Sequence, residues 1–333
     1  MLSRFQSKSG ADAIALDLPG MDLVAGAIDS HVHCCPHINA RTVTVFDAVR
    51  QAARARMRAI GLMDVFANTS GLAALACREL GDLGVEVFGG VILEPYVGGL
   101  AVASVEAALS MGYGPGTGAR FVSLPCHHTK FVARSEGRGP AYVDACLGIP
   151  AEGELPDPLP EIIDLCIAAD VVFNTGHLSA AEALRVVSAA RRRGAERILV
   201  PASYLDSDTA EEIAAEGAYL EFGFFVMSHA TQVGQTMIDK ERHRFSLVQL
   251  SAVAQTIRRV GPDRVVLSSD SGSYVLPPPV EAFRELIVMI RSEGFDDDAI
   301  RLMTVHNTAR LFKVGEGPFE PFDEPPSAAS ESS

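Results

Sequence analysis

Residues 26–33 read Gly26-Ala27-Ile28-Asp29-Ser30-His31-Val32-His33, an apolar run that closes on two histidines one residue apart. Side chains along a strand repeat with a period of two, so both imidazoles leave its end on the same face. Two neutral imidazoles so placed suit one borderline-soft cation such as Zn²⁺. Two later runs close in the same manner: Val171-Val172-Phe173-Asn174-Thr175-Gly176-His177 and Val265-Val266-Leu267-Ser268-Ser269-Asp270.

Outward from these runs the pattern extends to the whole chain. Short β-type segments occur at Gly26–His33, Ala59–Phe66, Val85–Leu93, Ala119–Leu124, Asp170–His177, Arg197–Ala202, Ala218–Phe225 and Arg264–Asp270. Between most of them lie segments of helical period, among them Thr44–Arg58, Leu72–Leu80, Val102–Met111, Ala180–Arg193, Asp208–Ala215 and Ser246–Val260. Strand then helix, eight times over, predicts a (β/α)8 barrel. A doubly wound open sheet shares the alternation, but no GxGxxG or GxxxxGK[ST] follows the first strand. In a barrel the strand ends share one rim, so His31, His33, His177 and Asp270 converge as candidate ligands of one metal ion.

The chain has 333 residues, 48 % of them apolar and 21 % charged, which is the composition of a folded domain. It divides into an N-terminal extension 1–23, a barrel domain 24–314 and an acidic, Pro/Ser-rich tail 315–333 expected to be disordered. Net charge is −14, and the tail holds Glu316, Glu320, Asp323, Glu324 and Glu331. The densest basic run, Arg191-Arg192-Arg193, reads as a helix C-terminus before Gly194 rather than as a phosphate-binding stripe. Nucleic acid is therefore not an expected partner. Neither a membrane span nor a secretion signal is legible. Six cysteines without a CxxC pair suit a reduced, cytoplasmic protein. The expected partner is a small-molecule substrate, with homo-oligomerisation left open.

About 35 residues separate the fourth strand from the helix around Pro160–Ala169, beginning Cys126-His127-His128-Thr129-Lys130. A connection of this length is usually a lid or binding loop. Its cations Lys130, Arg134 and Arg138 are candidates to grip an anionic part of the substrate. His128 in the same loop and His229 after strand seven are candidate catalytic histidines. Glu94, ending strand three, is a further candidate or else a strand-to-turn boundary before Pro95.

The constellation resembles the amidohydrolase superfamily of metal-dependent hydrolases over about Gly26 to Phe312. Its strand-one HxH matches His31 and His33, its strand-five His matches His177, and its strand-eight Asp matches Asp270. Met303–Phe312 (MTVHNTARLF) looks like the NxAxLF helix that follows the last strand there. This chain departs from the pattern twice. Strand six ends Val200-Pro201-Ala202-Ser203-Tyr204, without a histidine, and strand four ends without a bridging Lys or Glu. What the resemblance implies is thus one divalent ion, zinc before manganese or iron, on a divergent barrel. It implies hydrolysis of a C–N bond (amide, lactam) or C–O bond (ester, lactone), with Asp270 as the general base. Non-oxidative decarboxylation and a catalytically silent metal-binding barrel are the alternatives.

Overall fold

The computed structural model describes residues 18–315, with 115, 234, 237–241 and 244–245 excepted. The expected tail from 316 onward and residues 1–17 lie outside the described residues. Eight parallel strands pair in sequence order: β1 (Ile28–Val32), β2 (Ala59–Leu62), β3 (Glu86–Ile92), β4 (Phe121–Ser123), β5 (Val172–Asn174), β6 (Ile198–Pro201), β7 (Tyr219–Gly223) and β8 (Val265–Ser268). The ring closes between β8 and β1 through the Val32–Ser271 bridge. There the His33 N–H donates to the Ser271 carbonyl at 2.8 Å, and the Ser269 N–H to Asp29 Oδ1 at 2.9 Å. This is the (β/α)8 barrel that the alternation predicts.

Buried side chains form two layers. Between sheet and helices lies a continuous aliphatic layer that includes Val49, Ile163, Val187, Ile213, Ile257 and Leu286. A second cluster fills the barrel itself, where Ile28, Phe88, Phe121, Val172, Leu199 and Val266 meet Leu311 and Phe312. The C-terminal helix Asn307–Phe312 thereby plugs the end of the barrel where the strands begin, and the Phe88 and Phe312 rings stack 4.8 Å apart. Asn307 Nδ2 donates to the Pro262 and Val265 carbonyls, each at 2.8 Å, fixing that helix to the start of β8. The sequence MTVHNTARLF is accordingly packing, and His306 within it is exposed.

Local signals explain the helices. Ser179 and Glu182 form a capping box that starts Ala180–Arg193, and Gly194 ends it in the left-handed region at φ 101°. The arginine run is the end of that helix, with Arg193 paired to Asp164. The short helix Met21–Val24 belongs to the body of the barrel rather than to an extension, because Leu23 and Val24 are fully buried. No helix among the described residues is long and apolar enough to cross a membrane.

The long segment after β4 folds as two short helices, Lys130–Ser135 and Pro140–Ala145. It is pinned rather than free. The Lys130 N–H donates to the Leu147 carbonyl at 2.7 Å, the Leu147 N–H to the His128 carbonyl at 2.9 Å, and the Ile149 N–H to Glu182 Oε1 at 2.9 Å.

Candidate active site

The end of β1 and the turn after β8 are brought together by the hydrogen bonds that close the barrel, and their polar side chains meet at the mouth. His33 Nε2 lies 3.1 Å from Asp270 Oδ1, and His31 Nε2 lies 3.3 Å from the same oxygen. One donor atom from each of the three residues falls within 4.8 Å of the others, the single such metal-type group among the described residues. His177 lines the same cavity, but its nitrogens fall outside that 4.8 Å group.

The residues fit a divalent ion. Two donors that share an ion at bonds of 2.0–2.2 Å and a tetrahedral angle lie about 3.4 Å apart, close to the spacing seen here. His33 Nδ1 is buried without a hydrogen-bond partner, whereas His31 Nδ1 is 3.2 Å from Glu221 Oε1. A carboxylate on the far nitrogen fixes a ligating ring and leaves its other nitrogen for the ion. Asp270 adopts φ 46°, a left-handed conformation that Asp and Asn tolerate better than most residues.

The cavity lining pairs two carboxylates, Asp270 and Glu221, with the cation Arg41 and the histidines. Burial alone would lower the proton affinity of His31, but Asp270 and Glu221 overcome it and hold its pKa at about 9. Burial depresses His33 and His177, so these rings are neutral. For Asp270, burial is outweighed by His31, His33 and His177, which keep the carboxyl below its ordinary value and ionised. Asp29, a buried residue within β1, is raised by burial to about 7.

Glu94 has a different role from ligation. Its carboxylate accepts the backbone N–H groups of Cys126, at 2.8 Å, His127, at 2.6 Å, and His128, at 3.3 Å, and lies 2.8 Å from His128 Nδ1. Burial would raise its pKa, yet the hydrogen bond with His128 and the charge of His127 hold it low. Glu94 therefore builds the turn that leaves β4.

Five sequence candidates are placed away from the cavity or spent elsewhere. His128 is bound at both nitrogens, with Tyr142 Oη 3.1 Å from Nε2, and its neighbour His127 is the one that lines the cavity. His229 is exposed, because the turn Phe225–Met227 carries the chain outward before it. Arg134 is exposed, and Arg138 pairs with Glu136 at 3.0 Å beneath the Tyr142 ring. Lys130 is also absent from the lining; its side chain packs along Gly148. From this segment only Cys126, His127 and Phe131 reach the cavity.

Residues that the sequence reading passed over stand in their place. Arg41, on the connection after β1, lines the cavity beside His33 and Asp270, and Glu221 in β7 buttresses His31. Where a strand-six histidine would stand, the wall is Pro201, Ser203 and Tyr204, whose hydroxyl donates to the Ser246 carbonyl at 2.9 Å. Cys126 is buried, and burial raises its thiol well above the ordinary range, so it is a wall residue rather than a thiolate.

Comparison with known proteins agrees with this architecture. Residues 26–221 match the family model described as "Family of unknown function (DUF6282)". No curated protein sequence matches the chain. Among solved structures, an amidohydrolase from Pseudomonas aeruginosa superposes with a TM-score of 0.54 at 11 % identity, covering 89 % of this chain and 98 % of that one. A lactonase from Listeria monocytogenes gives 0.55 at 14 % identity over 90 % and 97 %. An organophosphorus hydrolase from Deinococcus radiodurans gives 0.54 at 15 % identity over 89 % and 94 %. At these identities the likeness is one of fold.

Proposed function

The chain belongs to the DUF6282 family of unknown function, and from that premise we propose that it is a metal-dependent hydrolase of a C–N or C–O bond in a small substrate. The observation that carries this reading is the meeting of His31, His33 and Asp270 within 4.8 Å at the mouth of the barrel. The fold is shared with an amidohydrolase, a lactonase and an organophosphorus hydrolase, which supports the same class.

His31, His33 and Asp270 would hold one ion, with His177 in reach of the same cavity. Two imidazoles and a carboxylate suit zinc, and also manganese or iron. When bound, such an ion lowers the pKa of water from 15.7 to about 7 and polarises a carbonyl. The chain supplies the rest. Asp270, ionised and inside the cavity, accepts the proton of the attacking water and returns it to the leaving group. Glu221 holds the His31 ring, and the neutral rings of His33 and His177 leave lone pairs for ligation.

Metal analysis of protein purified without chelator tests the first half: one ion per chain is expected, and none in the His31→Ala/His33→Ala double variant. Turnover of a lactone, ester and amide panel in H₂¹⁸O tests the second. A carboxylate product carrying ¹⁸O is the expected result; CO₂ release without incorporation would instead assign decarboxylation.

A further inference from the structure

Among the described residues Arg41 forms no ion pair in this cavity, although the charges of Asp64 and Asp270 act on it. It is the only Lys or Arg among the described residues that line the cavity. Of its five donors, Nη1 reaches the Ala40 carbonyl at 3.3 Å and Nη2 lies 2.7 Å from His37 Nε2, while Nε is buried without a hydrogen-bond partner. By contrast, Arg120, Arg138, Arg197 and Arg284 each lie within 3.0 Å of a carboxylate oxygen.

His37 does not make good that deficit. Burial, with the charges of Arg41 and His33, holds its pKa down at about 3, so the ring is neutral and has one lone-pair nitrogen. Two donors compete for it: the Arg41 Nη2 group at one nitrogen, and the Asn39 N–H, 2.9 Å from Nδ1, at the other. When Asn39 is served, Nε2 carries the proton and faces Asp64 Oδ1 at 3.4 Å, leaving Arg41 without a side-chain acceptor. Asp64 itself accepts the Phe66 N–H at 2.7 Å.

Backbone pairing fixes where this cation stands. Arg41 bridges Ser273, and the Thr42 N–H donates to the Gly272 carbonyl at 2.9 Å, so the Arg41 loop is docked on the turn that carries Asp270. Arg41 is half-buried with its Nε sealed off and unfilled, and an anion in the cavity would complete it. One guanidinium, with no second Lys or Arg on the wall, balances a single negative charge, and its planar fork matches a carboxylate in two parallel hydrogen bonds. Much of the remaining wall is apolar, with Val65, Ile92, Phe131, Leu178, Phe225 and Val226, interrupted by the hydroxyls of Ser203, Ser268 and Ser273.

We propose that Arg41 is the substrate's anion anchor, and that the molecule hydrolysed here carries a carboxylate on an apolar body. This deepens the hydrolase reading and rests on it only for the bond that breaks; the anchor itself is a statement about binding.

The test is calorimetric titration with two unreactive probes of one shape, 3-phenylpropionate and 3-phenylpropanamide. Wild-type protein, metal-loaded and chelator-treated, is compared with Arg41→Met and with Arg41→Lys, which keeps the charge but loses the fork. We expect wild type to prefer the carboxylate by at least tenfold in both metal states. Arg41→Met should bind the two probes alike, and Arg41→Lys should retain only part of the preference. Circular dichroism establishes folding, and if Arg41→Met does not fold, a reduced preference in Arg41→Lys carries the comparison. Absence of binding, equal binding by wild type, or a preference undiminished in the folded variants overturns the anchor. A preference that vanishes on chelation places the carboxylate on the metal and overturns it equally. Because no turnover is read, failure here is separate from failure of the hydrolase reading, which metal content and ¹⁸O decide.

Discussion

His31 and Glu221 meet across β8: Nδ1 of the imidazole lies 3.2 Å from Oε1 of a carboxylate that is itself 4 % exposed. The two nitrogens of that ring are thereby divided, one to the protein and one, 3.3 Å from Asp270, to the cavity. Glu221→Gln keeps the shape but weakens the grip on the ring. Partners of this kind typically alter metal affinity by 10- to 100-fold. Competition of the variant with a chromophoric chelator should show a loss in that range, and unchanged affinity would make Glu221 a packing residue only.

The Glu94 carboxylate gathers three successive N–H groups as the chain leaves β4. Hydrogen bonds to a charged group are worth about 1.5–3 kcal/mol each, and a buried donor left unmade is costly. Glu94→Gln replaces one acceptor oxygen by an NH₂ that faces donors. Urea unfolding should show a loss of about 3 kcal/mol, and His127 should leave its place in the wall. A midpoint equal to wild type would contradict the turn-building role.

The strands were legible because each is a short apolar run, and those that matter end in His or Asp. A buried parallel strand needs apolar residues on both faces, so the eight runs stand out from helical segments such as Ala180–Arg193. The His31, His33 and Asp270 meeting was legible for the same reason: barrel closure puts strand ends on one rim. Other features depend on geometry that local sequence does not encode. His127 and His128 are neighbours, and the turn around Glu94 decides which of them faces the cavity. His229 follows β7 closely, yet the Phe225–Met227 turn carries it outside. Arg41 lies in Ile38-Asn39-Ala40-Arg41-Thr42, which has no motif, and only its pairing with Ser273 brings it to the site. A charge on the connection after strand one, on the catalytic face, was the one available signal.

Gly272 limits how the β8 turn can be built. Its φ is +124°, and a Cβ there would stand 1.7 Å from the His33 carbonyl oxygen. Gly272→Ala must move either the β1 end or the Asp270 turn, combining backbone strain with overpacking, for a loss of about 3 kcal/mol. Urea unfolding and metal content should both fall. Normal stability with full metal would show that the turn is more yielding than the geometry requires.

Asp64 gives a stability dependence on pH with a defined sign. Burial raises its folded pKa from 3.8 to about 6, against the opposing pull of the Phe66 N–H and Arg41. Folding thus favours the protonated form. The contribution is fully present below about pH 4 and is lost as pH rises through 6, by at most about 3 kcal/mol. Asp64→Asn cannot ionise, so its stability relative to wild type should rise by up to that amount between pH 4 and pH 8. A difference that stays flat across this range would refute the raised pKa.

Asp270 carries two roles in the proposed chemistry, ligand and proton acceptor, and Asp270→Asn separates them. Asn retains an oxygen and nearly the same volume, and it tolerates the left-handed φ of 46° that this position requires. The fold should therefore survive, and metal should be retained at reduced affinity. What is lost is the basic oxygen that faces His31 and His33. Removal of a positioned base lowers kcat by about 10²- to 10⁴-fold in typical enzymes, and a loss of 10²-fold or more is expected on whichever ester, lactone or amide of the panel turns over. The loop histidines supply the control. His229 is exposed and His128 is committed to Glu94 and Tyr142, so His229→Ala should keep near-normal kcat, while His128→Ala should act through the turn and stability. Near-normal kcat in Asp270→Asn, together with abolition in His229→Ala at intact metal content, would move the base from the strand end to the loop.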